Sequence, residues 1–109
     1  MTDLDSLKTR LRDFAEARDW LQFHDPKNLA MAIASEAGEL LAEFRWLSSE
    51  QSKAEFLSDE KIELISMEMA DVLIFLIRLS DVLQVDLVEV ATTKLDRNET
   101  RFPKLPNVN

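Results

Sequence analysis

Two stretches decide how this chain folds: SEAGELLAEFRW, Ser35–Trp46, and SMEMADVLIFLIRL, Ser66–Leu79. In both, apolar residues recur at intervals of three and four, the period of a helix face. The second contains VLIFLI, Val72–Ile77, apolar on every side, which a helix with one wet face cannot support. Each stretch also carries two acids three residues apart, Glu36 and Glu39 in the first, Glu68 and Asp71 in the second. At about 100° per residue, such a pair falls within about 60° of arc. Glu68 and Asp71 share their arc with Leu64, Val72 and Phe75, and Glu36 and Glu39 share theirs with Leu29, Ala32 and Leu40, with Glu43 one turn further on. The carboxylates therefore lie on faces that pack. Removing several carboxylates from water without compensation costs several kcal/mol each, and their mutual repulsion adds to that. No basic residue lies beside either pair on the same arc, since Arg45 and Arg78 point elsewhere. A divalent cation is the economical partner, and an all-oxygen ligand set favours Mg²⁺ or Mn²⁺ over zinc. Solvated acids on amphipathic helices are the competing reading, opposed by the alignment of these acids with the apolar stripe. A di-iron bundle site would need a histidine three residues after a glutamate on two helices; the single histidine, His24, precedes the second helix.

Outward from these stretches the pattern is helical throughout. With one glycine and three prolines, hairpin turns are scarcely available. A first helix is predicted from about Asp3 to Asp19, with a stripe of Leu4, Leu7, Leu11, Phe14 and Ala15. Asp25 followed by Pro26 marks the start of the second, which runs to about Trp46. Ser48 to Gln51 has capping-box spacing and predicts a short helix ahead of a long third one from about Asp59 to Leu83. Asp86, with Glu89 three residues on, opens a fourth that Pro103 ends. The fold class expected is all-α, a four-helix-bundle-like subunit plus a short helix. VLIFLI needs cover on its second side, so the subunit is expected to assemble into a homo-oligomer, dimer or tetramer.

Composition narrows the function classes. At 109 residues and 46% hydrophobic, residues 1–109 make one domain, with about 104–109 a loose tail. The absence of cysteine removes disulfides and thiolate metal sites. No apolar run is bounded like a signal peptide or long enough for a membrane span, so the expected location is the cytoplasm, with no membrane partner. The excess of 21 acidic over 13 basic residues repels a polyphosphate backbone and argues against nucleic acid as a partner. A small phosphorylated substrate stays open, because a bound cation reverses the local sign of charge.

ExxE at Glu36 and Glu39, then ExxD at Glu68 and Asp71 after 28 intervening residues, resembles the signature of the all-α, MazG-like nucleoside triphosphate pyrophosphohydrolases. KLDRNETRFP, Lys94–Pro103, is similar to that superfamily's closing motif, so the likeness extends from about Leu11 to Pro103. What the resemblance implies is hydrolysis of a nucleoside triphosphate between the α and β phosphates, giving the monophosphate and pyrophosphate. It implies Mg²⁺ on Glu36, Glu39, Glu68 and Asp71, with Glu39 the candidate catalytic base. It also implies phosphate contacts from Lys94, Asn98 and Arg101, whose i, i+4, i+7 spacing shows all three on one helix face. Cations near a helix C-terminus are also favoured by the macrodipole alone.

The segment from Asp19 to Trp46 is similar to the dCTP pyrophosphatase branch, where aromatic residues and a histidine surround the base. The matching positions are Trp20, His24 and Trp46, with Asn28 a further polar candidate. Tryptophan offers a stacking face and histidine an edge contact, which suits a small nucleobase. Phe23 and Phe44 are expected in the core. Gly38, mid-helix at a cost of about 1 kcal/mol, is expected where another helix or the ligand approaches closely. The resemblance implies dCTP as the leading substrate, in a role of cleansing the nucleotide pool. An all-α dUTPase-type enzyme and a non-catalytic helical interaction module are the alternatives; a phosphoribosyl-ATP pyrophosphohydrolase fits the Trp, His and Trp set less well.

Overall fold

The computed structural model describes residues 3–106, which are helical and contain no strand. Helix α1 (Leu4–Ala17), α2 (Pro26–Ala42), α3 (Asp59–Val82) and α4 (Leu87–Arg101) alternate with connections that include 3₁₀ turns at Leu21–Phe23 and Ala54–Phe56. Every α-helix begins on a short acceptor side chain. Asp3, Asp25, Ser58 and Asp86 accept from the amides of Ser6, Asn28, Lys61 and Glu89, satisfying donors that a first turn leaves open. No helix among the described residues is long and apolar enough to cross a membrane.

Two ends are closed by one device. After α1, Asp19 takes φ 56° and after α3, Gln84 takes φ 57°, both in the left-handed region. The turned chain then donates from Trp20 to the Ala15 carbonyl and from Val85 to that of Ser80, the wider bond of a Schellman closure. The narrower bonds, Asp19 to Glu16 and Gln84 to Asp81, are also made. The first closure fixes where Trp20 stands.

Two expected boundaries differ. Helix α2 stops at Ala42 and continues in turns to Trp46, with the amides of Glu43 and Phe44 reaching back only three residues. The short helix expected after Ser48 opens as turns and is reduced to the 3₁₀ turn Ala54–Phe56 ahead of α3. Its capping box does form, with the Ser48 amide on Gln51 Oε1 at 2.9 Å and the Gln51 amide on Ser48 Oγ at 3.1 Å. Ser52 then bonds the Ser49 carbonyl at 2.7 Å, a local bond of the kind that competes with helix propagation.

Helix α2 packs along α3, α1 packs on α3, and α4 hardly touches the other three. The packed part of one chain is therefore a three-helix unit from which α4 departs. Ala15, Leu29, Ile65 and Ile77 are the buried apolar residues among those described. Within VLIFLI only Ile77 is fully buried, and Leu73 is 41% exposed. The radius of gyration is 17.3 Å, against about 13 Å for a compact chain of this length. The accessible surface is 8758 Å², against roughly 6,200 Å² for a folded monomer of this mass. Residues 104–106 are exposed and outside any helix, and the rest of the expected tail, 107–109, lies outside the described residues.

Helix α1 is pinned to α3 by charge. Arg12 donates to both oxygens of Asp81, at 2.8 and 2.6 Å, and Arg78 donates to the same carboxylate at 2.8 Å. Asp81 and Arg78 are buried, and the two guanidinium groups hold the carboxyl below its ordinary range, the hydrogen bond from Arg12 contributing most.

Candidate functional site

The packing of α2 on α3 brings Glu36, Glu68 and Asp71 together, one oxygen from each lying within 4.8 Å of the others. All three are half-buried. Burial, then the charges of Asp71 and Glu39, push the Glu36 carboxyl upward. Glu68 is raised by burial first, then by Asp71, Glu36, Glu39 and Glu43. Glu39 is exposed beside the three and acts on Glu36 and Glu68 through its charge without joining the cluster. Glu43, one turn on, is neutralised by Lys61 at 2.9 Å. Among the described residues no ion pair reaches Glu36, Glu39, Glu68 or Asp71. The cluster thus gathers oxygen ligands and negative charge while the protein supplies no cation, which fits a hard divalent metal.

One turn along α3 from Asp71, Phe75 enters the wall of a second feature. A cavity of about 440 Å³ lies between α1 and α3, walled by Phe14, Trp20, His24, Phe75 and Arg78. The Schellman turn sets Trp20 edge-on to Phe14, ring centres 5.6 Å apart. His24 closes the 3₁₀ turn, and its Nδ1 accepts from Arg78 Nε at 3.2 Å. Burial, and then the Arg78 charge, lower the imidazole below its ordinary 6.5. An apolar cavity with an aromatic face and few polar groups is suited to a flat ring with a polar edge.

The other expected site residues stand apart from these two features within one chain. Trp46 is 84% exposed, with the Arg45 guanidinium 5.2 Å from its ring centre, and does not line the cavity. The Asn28 amide bonds the Phe23 carbonyl at 3.2 Å and Asp25 Oδ2 at 3.0 Å, so it belongs to the α2 cap. Lys94 and Arg101 are exposed and Asn98 half-buried on α4, which hardly touches α2 and α3. Phe23, expected in the core, is 60% exposed, while Phe44 is half-buried. A Cβ on Gly38 would meet nothing within 4 Å, so no helix of the same chain crowds it.

Sequence reasoning missed Arg12, Arg78 and Asp81. Arg78 and Asp81 interrupt the apolar run of α3 three residues apart, and that spacing is a visible sign of a buried pair. Their partners are not visible, since His24 is 54 and Arg12 is 69 residues away.

No family model matches the chain. Over 100 residues, 92% of the chain, it is 35% identical to dCTP pyrophosphatase 1 of Bos taurus and of Homo sapiens. It spans 59% of the length of these curated relatives. The crystal structure of a pyrophosphatase from Archaeoglobus fulgidus superposes with a TM-score of 0.86 at 38% identity, covering 95% of both chains.

Proposed function

Because this chain belongs to the all-α, MazG-like nucleotide pyrophosphohydrolases, we propose that it hydrolyses dCTP to dCMP and pyrophosphate, other deoxynucleoside triphosphates being poorer substrates. The observation that carries this is the convergence of Glu36, Glu68 and Asp71 within 4.8 Å with no protein cation beside them. Mg²⁺, or Mn²⁺, held by these carboxylates supplies charge neutralisation for the triphosphate and Lewis acidity at the attacked phosphorus. In this reading Glu39, exposed at the edge of the cluster, takes the proton of the attacking water. Trp20 stacks on the base and His24 meets its edge in the cavity one turn away. Lys94, Asn98 and Arg101 bind phosphate oxygens, and Trp46 and Asn28 complete the base site.

The working form is a homo-oligomer. One chain exposes about 2,500 Å² more surface than a folded monomer of its mass, enough for its half of an obligate interface. Assembly covers Leu73 and the apolar side of α4, where Val88 and Leu95 are each 57% exposed. It also supplies the neighbour that α4 and Trp46 lack in one chain. Residues 1–109 act as one catalytic domain, and its setting is the cytoplasmic nucleotide pool.

The test is release of pyrophosphate from dCTP, dUTP, dTTP, dATP and dGTP with and without Mg²⁺. dCTP should rank first and chelator should stop the reaction. Release of inorganic phosphate, or of nothing from any nucleotide, would overturn the assignment.

A further inference from the structure

The polar wall of the cavity is a chain of side chains: His24, Arg78, Asp81 and Arg12 follow one another through hydrogen bonds of 3.2, 2.8 and 2.6 to 2.8 Å. Arg78 is only 4% exposed, and the Asp81 carboxylate, itself gripped by Arg12, fixes where its guanidinium points. A guanidinium has donors and no acceptor, and it does not lose its proton. The imidazole nitrogen facing it must therefore carry a lone pair. A neutral imidazole has one N–H, so the proton resides on the other nitrogen, Nε2. That nitrogen bonds no protein group among the described residues, and no buried side-chain nitrogen or oxygen is left unpartnered, so Nε2 is open to solvent or ligand.

We propose that Arg78 is a positioning residue that locks His24 as a hydrogen-bond donor toward the cavity, so that the site selects a nucleobase edge presenting an acceptor, a ring nitrogen or carbonyl, and rejects one presenting N–H there. This rests on the reading of the cavity as the base site. Without Arg78, either ring nitrogen would be free to hold the proton, and the ring would serve acceptor and donor edges alike. The cations facing the imidazole keep the ring neutral, against the pull of the Asp81 carboxylate. From α3 come Arg78 and, behind it, Asp81; from α1 come Arg10 at the cavity wall and Arg12 through Asp81. Burial first, and then the Arg78 cation, oppose a second proton on the ring, so the donor pattern persists below neutral pH.

Because His24 is the only histidine, ring ¹⁵N correlations on uniformly labelled full-length protein report it alone. At pH 7 the wild type should show a protonated Nε2 and a lone pair on Nδ1, with the ring's titration midpoint below the ordinary 6.5. Protonated Nδ1 would overturn the proposal outright. In Arg78→Met the two tautomers should mix and the midpoint rise. KM for dCTP should increase about three- to tenfold, the factor carried by one neutral hydrogen bond, with kcat within about twofold. KM should also acquire a new inflection near the histidine midpoint. An unchanged ring and an unchanged KM, or a loss confined to kcat, would overturn it. Arg78→Lys, which keeps the charge beside Asp81, serves if the methionine variant does not fold. A 3-deaza-dCTP comparison and dCTP perturbation of the ring signals separate the two premises. If the wild-type ring has the expected tautomer but ignores bound dCTP, the cavity is not the base site and the recognition half falls, while the Arg78 to His24 coupling stands.

Discussion

Glu36 and Glu68 hold protons more tightly than free carboxyls because they are partly buried among other acids. Their folded values exceed the ordinary 4.5, so above that pH the folded chain binds more protons than the unfolded one. Stability of the metal-free protein therefore falls as pH rises from 4.5 through the folded values, and a cation that binds only the folded chain restores it. Glu68→Gln should leave the metal-free Tm at pH 7 equal or higher, remove the rise in Tm on adding Mg²⁺, and abolish pyrophosphate release. A variant that still hydrolyses dCTP would remove Glu68 from the metal site. At the cavity, Trp20→Ala should raise KM by about tenfold to a hundredfold, since base stacking on an aromatic is worth about 1–3 kcal/mol, while kcat falls much less. His24→Ala should instead narrow the preference for dCTP over dUTP, read from kcat/KM for both, because an edge contact discriminates more than it binds.

At the scale of elements, the joint between α1 and α3 rests on one carboxylate shared by two arginines. Asp81→Asn leaves the buried Arg78 without its counter-charge and should cost about 3 kcal/mol, the lower end for breaking a buried pair because Arg12 keeps access to water. Asp81 sits below its ordinary 3.8, so its stabilisation is present above that pH and is lost as pH falls through the lower folded value. Denaturant titrations at pH 7 and pH 3 should thus show the variant losing less than the wild type on acidification. The elements most legible in the sequence are those set by neighbours. Asp25 and Asp86 announce their helices because a cap needs only the next three residues. The Ser48 to Gln51 box was equally legible and equally formed, yet a cap starts a helix only where the following residues continue it, and the serines there bond each other. The convergence of Glu36 with Glu68 and Asp71 was readable because both pairs ride on apolar stripes that must meet. The clamp on Asp81 was not, because the fold alone brings Arg12 to it. Nor was the exposure of Trp46, which lies in the turns beyond the end of α2.

One chain exposes more surface than a folded monomer of its mass, and the two sides of α3 differ in burial. Ile77 is 1% exposed inside the chain and Leu73 is 41% exposed, so Ile77→Glu should unfold the protein while Leu73→Glu should yield folded monomers, seen by light scattering with circular dichroism. Wild-type monomers at micromolar concentration would refute the assembly. The departure of α4 from the other helices has a further outcome. A 15-residue helix without tertiary support is marginal in water, so in the proposed assembly α4 should persist only while a neighbouring subunit holds it. Diluting the enzyme should therefore melt the segment bearing Lys94, Asn98 and Arg101 before it disturbs the carboxylates on α2 and α3. Specific activity should then decline with enzyme concentration in the assay, with affinity for the triphosphate lost first and Mg²⁺ still bound, so that the catalyst's own abundance sets how well it holds its substrate.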